Sequence, residues 1–375
     1  MARSFLVPAQ NMLVADRHGS IAIRSTGHYP LRPDDGDGRR IRDGATSASD
    51  WRGFWPVSAY PQSFDPAQGF LASANQEPEA PDAQFAYLGA DTDYEVWRAL
   101  RINELLRADS SVTVDDMRRW QTDPGSVRAD VFVPYFVHVV DSLRAHGIVV
   151  SDSLATAARL LGAWDRRYTR DNTGAVLFEA AMRELGARTW DELVQNGRRV
   201  ATPTEAVLAE LLTQPTNAWW DDRRTRAVET RDEILATSLA AAYSNVVRAH
   251  GAPDAGGWRW DRVQFANVNH LLRIPSFSVL KIPVQGGRGT LSPSYGDGGD
   301  GPSWRMVVEL GPQVHAWGVY PGGQSGDPLS AHYTDRLAKW EHGELDSLYF
   351  PRSLATFGRA SGSLTLTPAV APARR

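Results

Sequence analysis

Two stretches of short, strand-like runs enclose a long helical block, and that order limits the folds open to this chain more than any other feature. Met12 to Ala15 and Ser20 to Arg24 are rich in β formers, and Asp16-Arg17-His18-Gly19 between them has the polar and glycine chemistry of a hairpin turn. From Tyr94 onward the period changes. Val96, Trp97, Leu100, Ile102, Leu105 and Leu106 recur on one helical face, and Thr113-Val114-Asp115-Asp116 opens the next helix with a cap. Helical spacing continues through Val127 to Ala145, Ser151 to Trp164, Ala175 to Leu185, Pro203 to Leu212 and Asp232 to Ala249. After Gly251, Pro253, Gly256 and Gly257, strands return at Phe277 to Val284, Arg305 to Leu310 and Gln313 to Tyr320. The order predicts an α+β fold in which one sheet draws its edges from both ends of the chain, with the helices inserted between. Residues 1–375 therefore read as one unit. Strands and a long loop occupy 1–93, helices 94–250, returning strands 251–367, and a Pro, Ala and Arg tail 368–375.

The chain has 375 residues, 42% of them hydrophobic, which is enough to bury a substantial core. A formal net charge of −4 provides no broad basic surface, so neither nucleic acid nor an anionic membrane is an expected partner, and a small molecule is. Cysteine is absent, which removes disulfides, thiolate metal sites and a cysteine nucleophile. The first eight residues lack the apolar run of an export signal. Val131 to Val140, the most apolar stretch, is far short of the roughly 20 residues needed to span a bilayer.

Several sequence patterns resemble known sites without meeting their physical requirements. Gly296-Asp297-Gly298-Gly299-Asp300-Gly301 has the spacing of a dinucleotide fingerprint, but the strand-like Trp304 to Val308 follows it where a helix should open. Ser325 lacks the second glycine of a nucleophile elbow, since Asp327 stands there. His18, His138, His146, His270, His315 and His332 show no spacing that sets two metal ligands on one helical face. Asp34-Asp35-Gly36-Asp37-Gly38 reads as a solvated acidic turn more readily than as a calcium loop. From Pro30 to Gln84, a loop dense in Pro, Gly, Asp and Ser carries Trp51, Phe54, Trp55, Phe64 and Phe70, the pattern of an ordered excursion packed on a core.

Six blocks spaced along the chain then occur in a recognisable series. They are Gln10-Asn11 to Asp16 with Gly19 and Gly27 to Arg32; Trp51-Arg52-Gly53 with Pro66 to Asn75; Trp97 to Ile102; Gln121-Thr122-Asp123 with Ser126, Ala129, Pro134 and Leu161 to Asp165; Gly301 to Val308; and Pro321 to Gly326 with His332-Tyr333, Asp335 and Trp340. The series resembles the β chain of the penicillin acylase (penicillin amidase, peptidase S45) family of N-terminal nucleophile hydrolases. The resemblance implies a four-layer α/β/β/α sandwich and cleavage of a linear, non-peptide amide bond in an N-acyl compound such as a β-lactam antibiotic. In such enzymes the α-amino group of an N-terminal serine activates its own hydroxyl, and an acyl-enzyme forms and is hydrolysed.

By the same resemblance Asn75 matches the asparagine whose amide donates to the oxyanion, and Arg98 matches an arginine that organises the site. Read without it, Asn75 is a loop-capping residue and Arg98 a helix-surface guanidinium. The family's serine corresponds to no position here. The expected partners are therefore an N-acyl amide substrate, an α chain and the earlier part of the β chain. Gly19-Ser20, Gly125-Ser126, Gly289-Thr290 and Gly362-Ser363 could each expose a hydroxyl on cleavage, but none has the matching context. No cofactor and no metal are expected; some relatives bind calcium, but the corresponding positions carry few acidic residues. The full-length protein would be periplasmic or secreted. The alternatives are a non-catalytic binding remnant and one subunit of a split enzyme.

Overall fold

The hairpin forms where alternation and turn chemistry place it. In the computed structural model, which describes residues 4–33, 41–78, 95–195, 198–199, 201–292, 301–352 and 364–366, β1 (Gln10–Ala15) pairs antiparallel with β2 (Ile21–Thr26) from Gln10 opposite Thr26 to Ala15 opposite Ile21. Asp16 closes the turn by accepting from the backbone N–H groups of His18 and Ser20 at 2.7 and 3.1 Å. The long loop then folds back, and β3 (Gln62–Phe64) adds to the other edge of β2. Its aromatics divide: Trp55 and Tyr60 are buried, whereas Trp51, Phe54 and Phe64 are exposed.

The helical block holds the main core. It comprises α1 (Trp97–Ala108), α2 (Val114–Trp120), α3 (Val127–Ala145), α4 (Asp152–Gly162) and α5 (Gly174–Thr189). A short ladder of β4 (Val194–Gln195) with β5 (Arg198–Arg199) separates these from α6 (Glu205–Leu211) and α7 (Arg231–His250). Helix starts follow the capping chemistry of the sequence: Thr113 and Asp116 form a capping box on α2, Thr230 and Glu233 form another on α7, and Ser126 and Ser151 cap α3 and α4. Helix α3 runs through Pro134, whose missing N–H costs it one intrahelical bond. Its Phe132, Val133, Phe136 and Val139 are almost fully buried against neighbouring helices, which offsets that loss.

The last third builds a second, smaller core. After α8 (Trp260–Val263), β6 (Phe265–Val268) pairs with β7 (Val279–Pro283). Strand β8 (Arg305–Glu309) pairs with β9 (His315–Val319), and β10 (Asp346–Leu348) joins the far side of β9 after α9 (Leu337–His342). Trp340 of α9, Val307, Val319, Ala266 and Ile282 meet in this core.

The class is mixed α+β, but one expectation about the sheet fails. Among the described residues no ladder joins the two ends of the chain: β1-β2-β3 and β8-β9-β10 are separate antiparallel sheets. Short turns join β1 to β2 and β8 to β9, so in these pairs the nearest partner in sequence captures the strand first. The strand expected from Phe277 is also shorter, because Pro275–Phe277 forms a 3-10 turn and pairing starts at Val279. Asp34 to Gly38, Gly296 to Asp300, Gly362-Ser363 and the tail from residue 368 lie outside the described residues. No helix among the described residues is long and apolar enough to cross a membrane.

Candidate functional site

Asn75 and Arg98, 23 positions apart in sequence, meet in space. Arg98 Nη2 donates to Asn75 Oδ1 at 2.7 Å. A guanidinium has no acceptor, so the oxygen of the amide must face Arg98, and this fixes Nδ2 as the atom presented outward. Asn75 itself sits in the left-handed region with φ of 62°, a conformation asparagine tolerates better than most residues. The loop before it is held from two sides. Gln76 accepts from Ala74 N at 2.7 Å and donates to Ala72 O at 3.3 Å, while Asn11 of β1 donates to Ser73 Oγ at 2.9 Å. Ser25 of β2 in turn donates to Asn11 Oδ1 at 2.8 Å, so hairpin, loop and α1 form one hydrogen-bonded chain.

Beside this pair lies a cleft of about 450 Å³ whose walls come from β1, the Leu71–Ala74 stretch, α1, α2 and the start of β8. Its apolar lining includes Leu13, Ile102, Leu105, Leu106 and Trp120, and its polar lining is Ser73, Arg98, Gln121 and Arg305. None of the lining residues is an aspartate or glutamate. The Gln121-Thr122-Asp123 phrase fixes one wall. Gln121 donates to Met306 O at 2.6 Å, and Asp123 accepts from Arg101 of α1 at 2.6 Å and from Arg167 at 2.9 Å. Burial works to raise the Asp123 carboxyl, but the hydrogen bond and charge of Arg101, with Arg167 behind it, outweigh that and hold it below the usual carboxylate range.

The other residues singled out from sequence serve the fold. Ser126 is buried and caps α3, and the Thr290 hydroxyl is buried within its own turn, bonded to Gly287 and Ser292 at 3.0 Å. The Ser20 hydroxyl donates to Asp65 at 3.1 Å. Ser325 accepts from Asp327 N at 3.1 Å, and His332 pairs with Asp335 at 2.9 Å across an exposed turn. Among the described residues no three His, Asp or Glu side chains converge as metal ligands would.

Sequence reading missed Arg305, which is only 7% exposed and lines the cleft. Its place in Arg305-Met306-Val307 was a usable signal, because alternation puts Arg305 on the inward face with Val307. It also missed the charge cluster under the helical core. There Arg128, 1% exposed, donates to Glu205 at 2.5 and 2.8 Å and to Glu179 at 2.6 Å, while Tyr168 donates to Glu179 at 2.7 Å.

With this geometry in hand, comparison with known proteins defines the class. Residues 1–355 match the penicillin amidase family, and the chain belongs to it; the family consists of hydrolases of linear amides. Among similar relatives, the acyl-homoserine lactone acylase QuiP of Pseudomonas syringae pv. syringae is 28% identical over 96% of this chain and 46% of its own length. The penicillin acylase 2 proenzyme of Pseudomonas sp. strain SE83 is 28% identical over 88% of this chain and 42% of its own. In fold, the chain is similar to the thermostable penicillin G acylase of Alcaligenes faecalis, with a TM-score of 0.60 at 20% identity, over 96% of this chain and 68% of that one. The chain spans about half the length of the curated relatives it matches.

Proposed function

We propose that this chain is the later part of an N-acyl amidohydrolase, in which residues outside these 375 supply an N-terminal serine nucleophile, the acyl pocket and the remaining layers of a four-layer α/β/β/α sandwich. The observation that carries this reading is the Arg98–Asn75 hydrogen bond of 2.7 Å beside the cleft. An oxyanion forms when the serine attacks an amide carbonyl, and it needs a donor already aimed at it. Arg98 occupies the amide oxygen, so Asn75 can offer only N–H to whatever lies beyond it. The serine oxygen bonds to the carbonyl carbon, its proton passes through the α-amino group to the leaving amine, and water then releases the acid. In this reading Arg98 is a positioning residue and Asn75 touches the reacting oxygen.

The family relationship and the two kinds of relative, named for acyl-homoserine lactones and for penicillin, support a linear N-acyl amide as the substrate class, with a β-lactam one member of it. The experiment is to isolate the protein from its native host, determine its intact mass and N-terminal sequence, and assay it against N-acyl homoserine lactones and penicillins. A longer product with a chain beginning at serine, and release of a free acid from either substrate, is expected. A product starting at Met1 or Ala2, with no partner and no turnover, refutes the reading and leaves a binding remnant.

A further inference from the structure

Helix α1, which carries Arg98, begins without the local chemistry that fixes most helix starts. Its N-cap, Val96, has helical backbone angles and makes no side-chain hydrogen bond, and its first turn holds no acidic side chain. Support comes instead from the loop at 286–290, which follows β7. Arg288 Nη2 donates to Glu95 Oε1 at 2.8 Å across 193 positions of sequence. Beside it Gly289, with φ of 78°, approaches the buried Trp97 so closely that a Cβ there would stand 3.1 Å from Trp97 Cβ and 3.2 Å from Cδ1. Side-chain atoms seldom come that near one another, and the left-handed backbone also favours glycine, so the sequence permits this contact by leaving the Cβ out. Residues 95 and 97 are both held by the loop, and Arg98 is the next residue.

The loop is itself anchored in the helical core. Gly286 N donates to Tyr168 O at 2.8 Å, Trp260 Nε1 donates to Gly286 O at 2.7 Å, and the Thr290 hydroxyl accepts from Gly287 N at 3.0 Å. Tyr168 and Trp260 are buried members of that core. Asn75 is held from elsewhere, by Gln76 within its own loop and by the tie from Asn11 of β1 to Ser73. The 2.7 Å contact between Arg98 and Asn75 therefore joins two separately anchored parts, and it depends on where the start of α1 is set. We propose that Gly289 and Arg288 are positioning residues for the Arg98–Asn75 pair: they place the start of α1 so that the guanidinium meets Asn75 Oδ1 and Nδ2 is left facing outward. The purpose of the pair rests on the amidohydrolase reading, and both loop residues act through α1.

The test follows the Asn75 side-chain amide by nuclear magnetic resonance in the 375-residue chain carrying isotope-labelled asparagine. Asn75→Ala identifies the signal, and Arg98→Met marks its position with the hydrogen bond broken. Gly289→Ala pushes a methyl against Trp97, and Arg288→Glu sets a second carboxylate beside Glu95; each is expected to move the signal towards the Arg98→Met position. Exchanging the charges, Arg288→Glu with Glu95→Arg, should return it to the native position. In the full-length, catalytically competent protein Arg288→Glu should lower kcat about tenfold with KM within about twofold of native, and the exchanged pair should recover it. Should Gly289→Ala fail to fold, the charge exchange decides alone. A signal that stays native in either folded single variant, one that Arg98→Met does not move, or an exchanged pair that stays displaced overturns the proposal, as does an unchanged kcat in Arg288→Glu. Failure of the whole native protein to turn over any N-acyl amide defeats the hydrolase reading instead, and the amide signal still decides whether the loop places the pair.

Discussion

Replacing Arg128 by methionine isolates the most heavily charged point of the helical core. The change keeps most of the side-chain volume and removes three charge-assisted bonds, to Glu205 at 2.5 and 2.8 Å and to Glu179 at 2.6 Å, together with the stacking over Phe178 at 4.9 Å. Such bonds contribute about 1.5–3 kcal/mol each, so their sum would exceed 4 kcal/mol if both carboxylates stayed ionised. The variant has an escape, because each carboxylate can take up a proton instead. From an ordinary pKa near 4.3 that costs about 3.7 kcal/mol per group at pH 7, at 1.36 kcal/mol per unit. The expected loss is therefore ~4 kcal/mol at neutral pH, within the range for breaking a buried pair by removing one partner.

The sign of the pH dependence follows from the same groups. In the native chain burial pushes Glu205 up, but the charge and hydrogen bond of Arg128 outweigh that and hold it below the usual range. Its stabilisation is then complete above the unfolded carboxylate range and is lost only as pH falls through the lowered folded value. In Arg128→Met both carboxylates are raised instead, so the penalty should shrink by up to about 1.4 kcal/mol per pH unit for each group as the solution is acidified towards pH 5. Urea unfolding followed by far-ultraviolet circular dichroism at about pH 7 and pH 5.5 reads both quantities. The triple variant Arg128→Met with Glu179→Gln and Glu205→Gln should recover to within ~1–2 kcal/mol of native, because no buried charge remains unmatched. A single-variant loss below about 1 kcal/mol, or one that does not diminish on acidification, would falsify the account.

Three further outcomes are expected. In the full-length, catalytically competent protein, Asn75→Ala should lower kcat by about 10²–10³ with KM little changed, as loss of one oxyanion donor does, and a rise in KM with kcat unchanged would remove Asn75 from the chemistry. Gly287→Ala would set a methyl 2.6 Å from Cδ1 of the fully buried Tyr168, so a loss of ~1–3 kcal/mol in urea unfolding is expected, and an unchanged midpoint would mean that the Tyr168 ring has room to yield. Asp123→Asn should weaken the α1 connection through Arg101 and Arg167 near neutral pH. Because the Asp123 carboxyl is held low, the gap to native should close as pH falls through that lowered value, and a gap that widens in acid contradicts the pairing.

Local chemistry was legible in the sequence, whereas partnership across the chain was not. Alternation and the Asp16 to Gly19 turn sufficed for β1 and β2, and the Thr-to-acid spacing sufficed for the start of α2, because these features are decided within a few residues. Which strands share a sheet depends on contacts that no short window contains, and there the expectation of one sheet from both ends gave way to separate sheets among the described residues. The charged residues divide by the same rule. Arg128 is not singled out by sequence, because Glu179 and Glu205 come from two other helices, 51 and 77 residues away.

Asn75 and Arg98 stand between these cases. Nothing in their neighbourhoods distinguishes a loop asparagine and a helix arginine from many others, and resemblance alone selected them. The structure adds a physical reason for the pair, since a donor-only guanidinium on Oδ1 leaves the amide a single face to offer. Arg305 shows the converse. It falls inside the Gly301 to Val308 block of that resemblance, but inward register on a strand and burial, rather than the resemblance, single it out. Resemblance selects residues by their place in a shared series, whereas the burial of a charge selects them by its physical cost.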